Sequence, residues 1–380
     1  MQQVRIGLIG TGFMGRCHAM AFRALPAVFP DVPRPALEMV ADVDEDAARR
    51  AADAFGFARW TTDWRALAED PAVDAVAVTT PNFLHEEMAL AAIRAGKHVY
   101  CEKPLAGDAA RALAMTEAAE AAGVRTLVGY NYLHNPAMAV AKEIIAGGEI
   151  GEVVHFRGTH NEDFLADPAV PMSWRVRKTE AGAGALADLG SHIVSLARHL
   201  VGNIVEVCGA VQTVVRRRPL PEPPGGFGEV DNDDQGQFLA RFESGATGAF
   251  EASRVARGRK MFLTFEVTGS RGAIAFDQER MNELQLFAAT GPGNRQGFRT
   301  LLMGPAHGHY GAFCPAPGHG LGFNELKVIE VYQLMRAIAA GGPAEPDFRA
   351  AWEIARVIDA VLLSAERGRW VGVDEVGRAS

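Results

Sequence analysis

The chain has 380 residues, 48% apolar and 22% charged, the balance of a folded globular protein of two or three domains rather than a disordered, collagen-like or coiled-coil one. Its formal net charge of −8 leaves no basic field to hold a phosphate backbone, so nucleic acid is not an expected partner, and no uncharged apolar run approaches the ~18–20 residues of a membrane span. The four cysteines, Cys17, Cys101, Cys208 and Cys314, form no CxxC pair; with no leader-like start, this leads to the expectation of a reduced, cytoplasmic compartment and no metal site.

The first 125 residues alternate apolar runs with Ala-rich amphipathic segments. Strands are expected at Val4–Ile9, Leu37–Asp42, Ala75–Thr79, His98–Cys101 and Arg125–Gly129. Helices are expected at Phe13–Leu25, Glu45–Phe55, His85–Ala95 and Ala109–Ala122. Strands alternating with helices of this length imply βαβ units, and continuously apolar strands imply a parallel sheet covered on both faces. Beyond Tyr130 the pattern changes. A helix at Pro136–Ile145 and a strand at Val153–Thr159 precede a long polar loop and a helix at Leu186–Leu200. Strands then follow at Val207–Val215, Gln235–Phe242, Ala246–Ser253, Phe262–Val267, Gly272–Phe276 and Glu283–Phe287, broken by Gly and Ser turns. Arg216-Arg217-Arg218 reads as a solvated turn, Gly291–Gly322 as a Gly/Pro-rich excursion, and Glu325–Ala339 and Phe348–Arg367 as closing helices. The fold class is therefore α/β, a doubly wound parallel-sheet domain over 1–127, followed over 128–380 by an α+β domain with a large, mostly antiparallel sheet.

Chemistry concentrates in five motifs. Gly10-Thr11-Gly12-Phe13-Met14-Gly15 follows the first strand and opens a helix. Gly10 permits the tight turn, Gly12 lets a pyrophosphate approach and Gly15 packs helix on strand, while the helix N-terminus offers N–H donors to phosphate. Asp42 ends the second strand, 27 residues after Gly15, the Pro-rich stretch Pro26–Pro35 accounting for the long spacing. A carboxylate there accepts ribose hydroxyls and repels a 2′-phosphate, favouring NAD over NADP. Thr79-Thr80-Pro81-Asn82, with His85 three residues on, ends the third strand at the ligand crevice, although Asn82 as a helix N-cap is an equal alternative. Glu102-Lys103-Pro104 sits at the mouth of the fourth strand, where Lys103 either presents charge to a substrate hydroxyl or simply pairs with Glu102. Asp188 and His192, at i and i+4 of a helix, share a face, so that an acid supports a histidine. Gly182-Ala183-Gly184 before them implies a close backbone approach.

Together these segments resemble the Gfo/Idh/MocA family of dehydrogenases, the match running from the glycine motif through Thr80–Asn82 with His85, Glu102-Lys103-Pro104 and Trp174-Arg175 to Asp188-Leu189-Gly190-Ser191-His192. The resemblance implies a Rossmann domain, NAD as cofactor, and a second domain whose sheet face makes a homodimer or homotetramer. It implies that Lys103 and His192 flank a substrate carbon, with Asp188 supporting His192 and Trp174-Arg175 on a loop near the cofactor. On that basis His192 is expected to act as general base and Lys103 to bind the reacting oxygen and stabilise its charge, the interchange of their roles staying open. Many members carry an Arg pair after the residue matching Asn131, where this chain has Leu133-His134. Asn131, His160 and Asp163 are expected to meet substrate hydroxyls. Segments such as Pro171–Arg175 and Gly297–Thr300 resemble the levoglucosan-oxidising branch of the family. The expected substrate is thus a neutral sugar or anhydrosugar, the alternatives being an inositol, or a redox-neutral NAD-dependent glycosidase.

Overall fold

A computed structural model describes residues 3–222 and 225–377. The chain forms two compact units: one holds the residues up to Asn131 together with Gly322–Glu353, the other Tyr132–Leu321 and the chain from Ile354 onward. The second crossing back is not visible in the sequence, which assigns everything after 127 to one domain.

The first unit carries β1 (Gln3–Ile9), α1 (Phe13–Val28), β2 (Arg34–Ala41), α2 (Glu45–Phe55), β3 (Arg59–Thr61), α3 (Trp64–Glu69), β4 (Ala75–Val78), α4 (His85–Arg94), β5 (His98–Cys101), α5 (Ala109–Ala122) and β6 (Thr126–Val128). Its six strands are parallel in the order β3-β2-β1-β4-β5-β6, and the reversal between β1 and β4 opens a crevice at the strands' carboxyl ends. All four residues of β4 are buried, as two-sided cover demands. Asp44, Asp63 and Asp108 cap α2, α3 and α5 by accepting backbone N–H groups at each helix start. Two departures from the expected pattern have physical causes. α1 runs on through Pro26, which lies in its last turn where the ring displaces few helical bonds, so the link to β2 is shorter than the proline content implies. β3 and α3 are too short, at three and six residues, to show a period.

The second unit begins with α6 (Pro136–Ala146), β7 (Val153–Asn161), α7 (Lys178–Ala181), a π-helical turn at Leu186–Gly190 and α8 (Ser191–Leu200). It continues with β8 (Ile204–Gln212), β9 (Arg217–Pro219), β10 (Phe227–Glu229), β11 (Gln235–Phe242), β12 (Thr247–Ser253), β13 (Phe262–Gly269), β14 (Gly272–Asp277), β15 (Glu283–Ala288), β16 (Arg299–Leu302) and α9 (Tyr310–Phe313). α10 (Phe323–Ala340) belongs to the first unit, α11 (Phe348–Arg367) spans the division, and β17 (Val371–Gly372) closes the chain. Nine strands form one sheet in the order β16-β15-β14-β13-β7-β12-β11-β8-β17, with β7 and β12 parallel and the other neighbours antiparallel. Alternation along β11 sends Phe238, Ala240 and Phe242 inward; Phe238 stacks on Phe250 at 4.5 Å, and Phe250 on Phe156 at 5.2 Å.

Three expectations need correction here. Arg218 is not in a solvated turn: it lies in β9, fully buried, donating to the carbonyls of Leu165, Asp167 and Val170. The strand expected to stop at Thr159 reaches Asn161, placing His160 on the sheet instead of in a loop. The helix expected over 186–200 opens as a π turn before becoming α-helical at Ser191.

Candidate active site

In the first unit each glycine of the β1–α1 turn has its own steric reason. Gly10 has φ +97°, in the left-handed region. A Cβ on Gly15 would lie 2.1 Å from the Gly10 carbonyl oxygen, whereas a Cβ on Gly12 would meet nothing within 4 Å. Gly12 is the N-cap of α1, offers no side-chain cap, and no acid occupies the first turn. Open space over uncapped N–H donors fits a pyrophosphate. Phe13 is 71% exposed beside this turn. Asp42 follows β2 and accepts from Thr11 N at 2.9 Å and Thr11 Oγ1 at 2.6 Å on Oδ2, and from Asp44 N at 3.2 Å on Oδ1. The acid therefore locks the glycine turn and keeps further lone pairs for ribose hydroxyls. Together these groups fit a bound dinucleotide of the NAD type.

The next two loops are tied to the same crevice. Thr79 Oγ1 donates to the Ile9 and Gly10 carbonyls at 3.0 Å. Asn82 is buried in a short 3-10 turn and caps neither that turn nor α4. His85, fully buried, sets Nε2 2.9 Å from Thr80 O and Nδ1 2.9 Å from Pro104 O. A neutral ring donates to only one of two carbonyls, and burial lowers the His85 pKa despite both contacts. His85 thus staples the Thr80-Pro81-Asn82 loop to the Glu102-Lys103-Pro104 turn.

Glu102, 5% exposed, does not face solvent beside Lys103. Its Oε1 accepts from His18 Nε2 and Lys327 Nζ, each at 2.8 Å, and its Oε2 from Lys103 N at 3.3 Å. Burial would raise this carboxyl, but Lys327 and His18 outweigh it and hold it well below the usual range. Lys327 also pairs with Glu330 at 2.8 Å, and Glu330 accepts the Tyr100 hydroxyl at 2.5 Å. Burial pushes Glu330 up to about 7 against the pull of Lys327. His18 stacks on Tyr100 at 4.1 Å.

In the second unit, His192 lies one residue into α8 and is 4% exposed. Its ring is 5.6 Å from that of His160 and 4.7 Å from that of Tyr132. Asp188 sits in the π turn just before α8; widening the helix there re-aims the face that carries Asp188 and His192. His160 is held by Leu189 O at Nδ1 (3.0 Å) and Glu162 Oε1 at Nε2 (3.2 Å). Asp163 instead spends both oxygens on Lys260 at 2.8 Å and takes Gly258 N at 3.0 Å. Asn131, buried, opens the 3-10 turn Asn131–His134 at the end of the first unit. Trp174 and Arg175 form a short 3-10 turn, with the Arg175 guanidinium 4.4 Å over the Trp174 ring. The Arg175 carbonyl accepts from Asn232 Nδ2 and Arg254 Nη1, and Arg254 in turn forms a buried pair with Asp234 at 2.9 Å.

The close approach expected at Gly182–Gly184 is found: a Cβ on Gly184 would lie 1.9 Å from the Asp233 carbonyl oxygen. Asp233 side-chain oxygens accept the N–H groups of Gly184 and Leu186 at 2.6 and 2.8 Å, anchoring the start of the π turn. That approach is to the protein's own chain.

Comparison with known proteins decides the family. The description "Oxidoreductase family, NAD-binding Rossmann fold" matches residues 4–130, and the GFO/IDH/MocA C-terminal domain matches residues 138–275. Levoglucosan dehydrogenase of Pseudarthrobacter phenanthrenivorans is 40% identical over 388 aligned positions, covering 99% of this chain and all of that protein. The chain belongs to the Gfo/Idh/MocA oxidoreductase family. Like other members it is an oxidoreductase with an NAD-binding Rossmann domain. The scyllo-inositol 2-dehydrogenase (NAD(+)) of Bacillus subtilis is 31% identical across 76% of this chain and 78% of its own length. The solved structure of levoglucosan dehydrogenase in complex with NADH and levoglucosan superposes with a TM-score of 0.94 at 41% identity, covering 98% of this chain and all of that one.

Proposed function

We propose that the protein oxidises a secondary ring hydroxyl of a neutral sugar or anhydrosugar of the levoglucosan type, using NAD⁺. The observation that carries this reading is the extent of the likeness to levoglucosan dehydrogenase, which spans 99% of the chain, substrate domain included. NAD⁺, when bound, supplies the hydride acceptor. We assign the glycine turn Gly10–Gly15 to its pyrophosphate, Asp42 to its ribose, and Thr79–Asn82, His85, Glu102 and Trp174-Arg175 to shaping its site. His192 takes the hydroxyl proton, Asp188 orients and supports the resulting imidazolium, and Lys103 bonds the reacting oxygen and offsets its growing negative charge. Asn131 and His160 are assigned to the substrate's other hydroxyls, with Glu162, through its bond to His160, fixing that ring; Asp163, with both oxygens on Lys260, is assigned to holding the loop beside it. Acids, amides and imidazoles offer both donors and acceptors, as polyols require, and the chain's net charge of −8 gives no general attraction for carboxylated or phosphorylated sugars. The inositol reading stands second, on the B. subtilis relative.

The test is the initial rate of NADH formation from levoglucosan, glucose, myo-inositol and a sugar phosphate at one concentration, with NAD⁺ and with NADP⁺. Levoglucosan with NAD⁺ is expected to be fastest. A lead for the sugar phosphate would reject the neutral-ring reading, a lead for myo-inositol would move the protein to the second reading, and free sugar appearing without net NADH would mark a glycosidase.

We assign the chain to a reducing, cytoplasmic setting on its four unbridged cysteines; no helix among the described residues is long and apolar enough to cross a membrane. The outer face of the nine-stranded sheet presents Cys208, Leu239, Ala249, Arg157 and Glu266 in one cross-strand row, with Leu239 52% exposed. We assign this face to a second copy of the chain, as a dimer or tetramer; a monomeric mass in sedimentation velocity would refute it.

A further inference from the structure

The backbone on either side of Lys103 is held by buried groups. After it, the Pro104 carbonyl faces His85 Nδ1 at 2.9 Å. Before it, the Glu102 carboxylate binds His18, Lys327 and the Lys103 N–H. A Cβ on Gly129, at the end of β6, would lie 2.8 Å from that carboxyl, so the neighbouring strand leaves room for it and for little else.

Lys327 comes from α10, 225 residues along the chain from Glu102. It is 1% exposed and spans two acids: Glu102 Oε1 and Glu330 Oε2, both at 2.8 Å. Glu330 in turn holds Tyr100 on β5. Tyr100 and Glu102 flank the last residue of β5, so one turn of α10 grips the strand end from which Lys103 departs. A buried ion pair is a poor device for stability alone, since apolar residues of similar volume commonly do as well or better. Its position at the root of Lys103 gives it another use.

We propose that Lys327 is the positioning residue for Lys103: by bonding Glu102 and Glu330 it fixes the end of β5 and the turn that carries the Lys103 side chain. Glu330 completes the grip through Tyr100. Burial would lower the Lys327 pKa, but Glu102 and Glu330 outweigh it and raise it above its ordinary value, so the cation persists through the working pH range. The inference rests on the assignment of Lys103 to the reacting oxygen.

The experiment combines Lys327→Met, Lys327→Arg, Lys103→Met and the Lys103→Met/Lys327→Met double variant. Turnover, NADH affinity and hydrogen exchange over residues 99–107 are read for each. Lys327→Met is expected to lower kcat by roughly 10- to 100-fold, the usual penalty for an ångström-scale misplacement. NADH affinity should hold, and exchange should rise in that segment more than elsewhere. Lys327→Arg should restore most of the turnover, and Lys327→Met should add no further loss to Lys103→Met. Should Lys327→Met fail to fold, Lys327→Gln keeps a donor to Glu102 and should shift the same readouts less. Unchanged kcat and unchanged local exchange would overturn the proposal, as would additive losses in the double variant. Near-native turnover in Lys103→Met would instead reject the Lys103 assignment, leaving the exchange measurement to decide whether Lys327 holds the turn.

Discussion

Lys103→Met and His192→Ala should each lower kcat by roughly 10²–10⁴-fold, the weight of one acid–base or electrostatic group at a reacting oxygen. Neither change touches the glycine turn or Asp42, so NADH titrated by fluorescence should bind both variants with close to the parent affinity. Methionine keeps most of the length and apolar bulk of Lys103 while removing its charge, which confines the effect to chemistry. His192 is 4% exposed among the rings of Tyr132 and His160. Its replacement by alanine therefore leaves a void as well, and His192→Asn serves as the better-filled control. Near-parent turnover in either position would show that residue to be misassigned.

Two glycines separate binding from folding. A methyl group at Gly12 enters open space, whereas one at Gly15 meets the Gly10 carbonyl oxygen at 2.1 Å, a backbone atom that cannot swing aside. Gly12→Ala should therefore melt like the parent, while its methyl occupies the approach of the pyrophosphate and weakens NADH by roughly ten-fold or more, equivalent to ~1.4 kcal/mol or more. Gly15→Ala should lose both affinity and stability, the latter by about 1–3 kcal/mol, as for overpacking in a close-packed site. Thermal melts and NADH titrations check both. If Gly12→Ala binds NADH as tightly as the parent, the space above α1 is not where the phosphates lie.

The parts of this molecule that the sequence reveals are those governed by local rules. The turn Gly10–Gly15 needs a positive φ at Gly10 and no side chain at Gly15, requirements that fall within six consecutive residues. The long apolar strands and capped helices of the first unit are legible for the same reason. The features that escaped depend on partners far along the chain. Lys327 and Glu330 stand three apart on a helix, a spacing that ordinarily marks a solvated face, and only folding brings them to Glu102 and Tyr100. Arg218 looks exposed beside two other arginines until three carbonyls from another loop surround it. Tyr132 carries no motif and meets His160 only in space, and Glu162, two residues from His160 in sequence, carries none either until the strand places its carboxylate on that ring. The π turn at Leu186–Gly190 inserts one residue's worth of rotation, which periodicity over so short a stretch does not report. Asp163, expected from the sequence to meet a substrate hydroxyl, has its oxygens engaged by Lys260, 97 residues further along the chain.

In the proposed reaction hydride passes directly from a secondary ring carbon to NAD⁺. Levoglucosan deuterated at its secondary ring carbons, incubated with the protein and NAD⁺, should yield reduced cofactor carrying one deuterium by mass spectrometry. The initial rate should fall below that of the unlabelled sugar to the extent that the transfer limits turnover. Reduced cofactor formed from that sugar without deuterium, or no reduced cofactor from any neutral ring sugar, would rule out this hydride transfer.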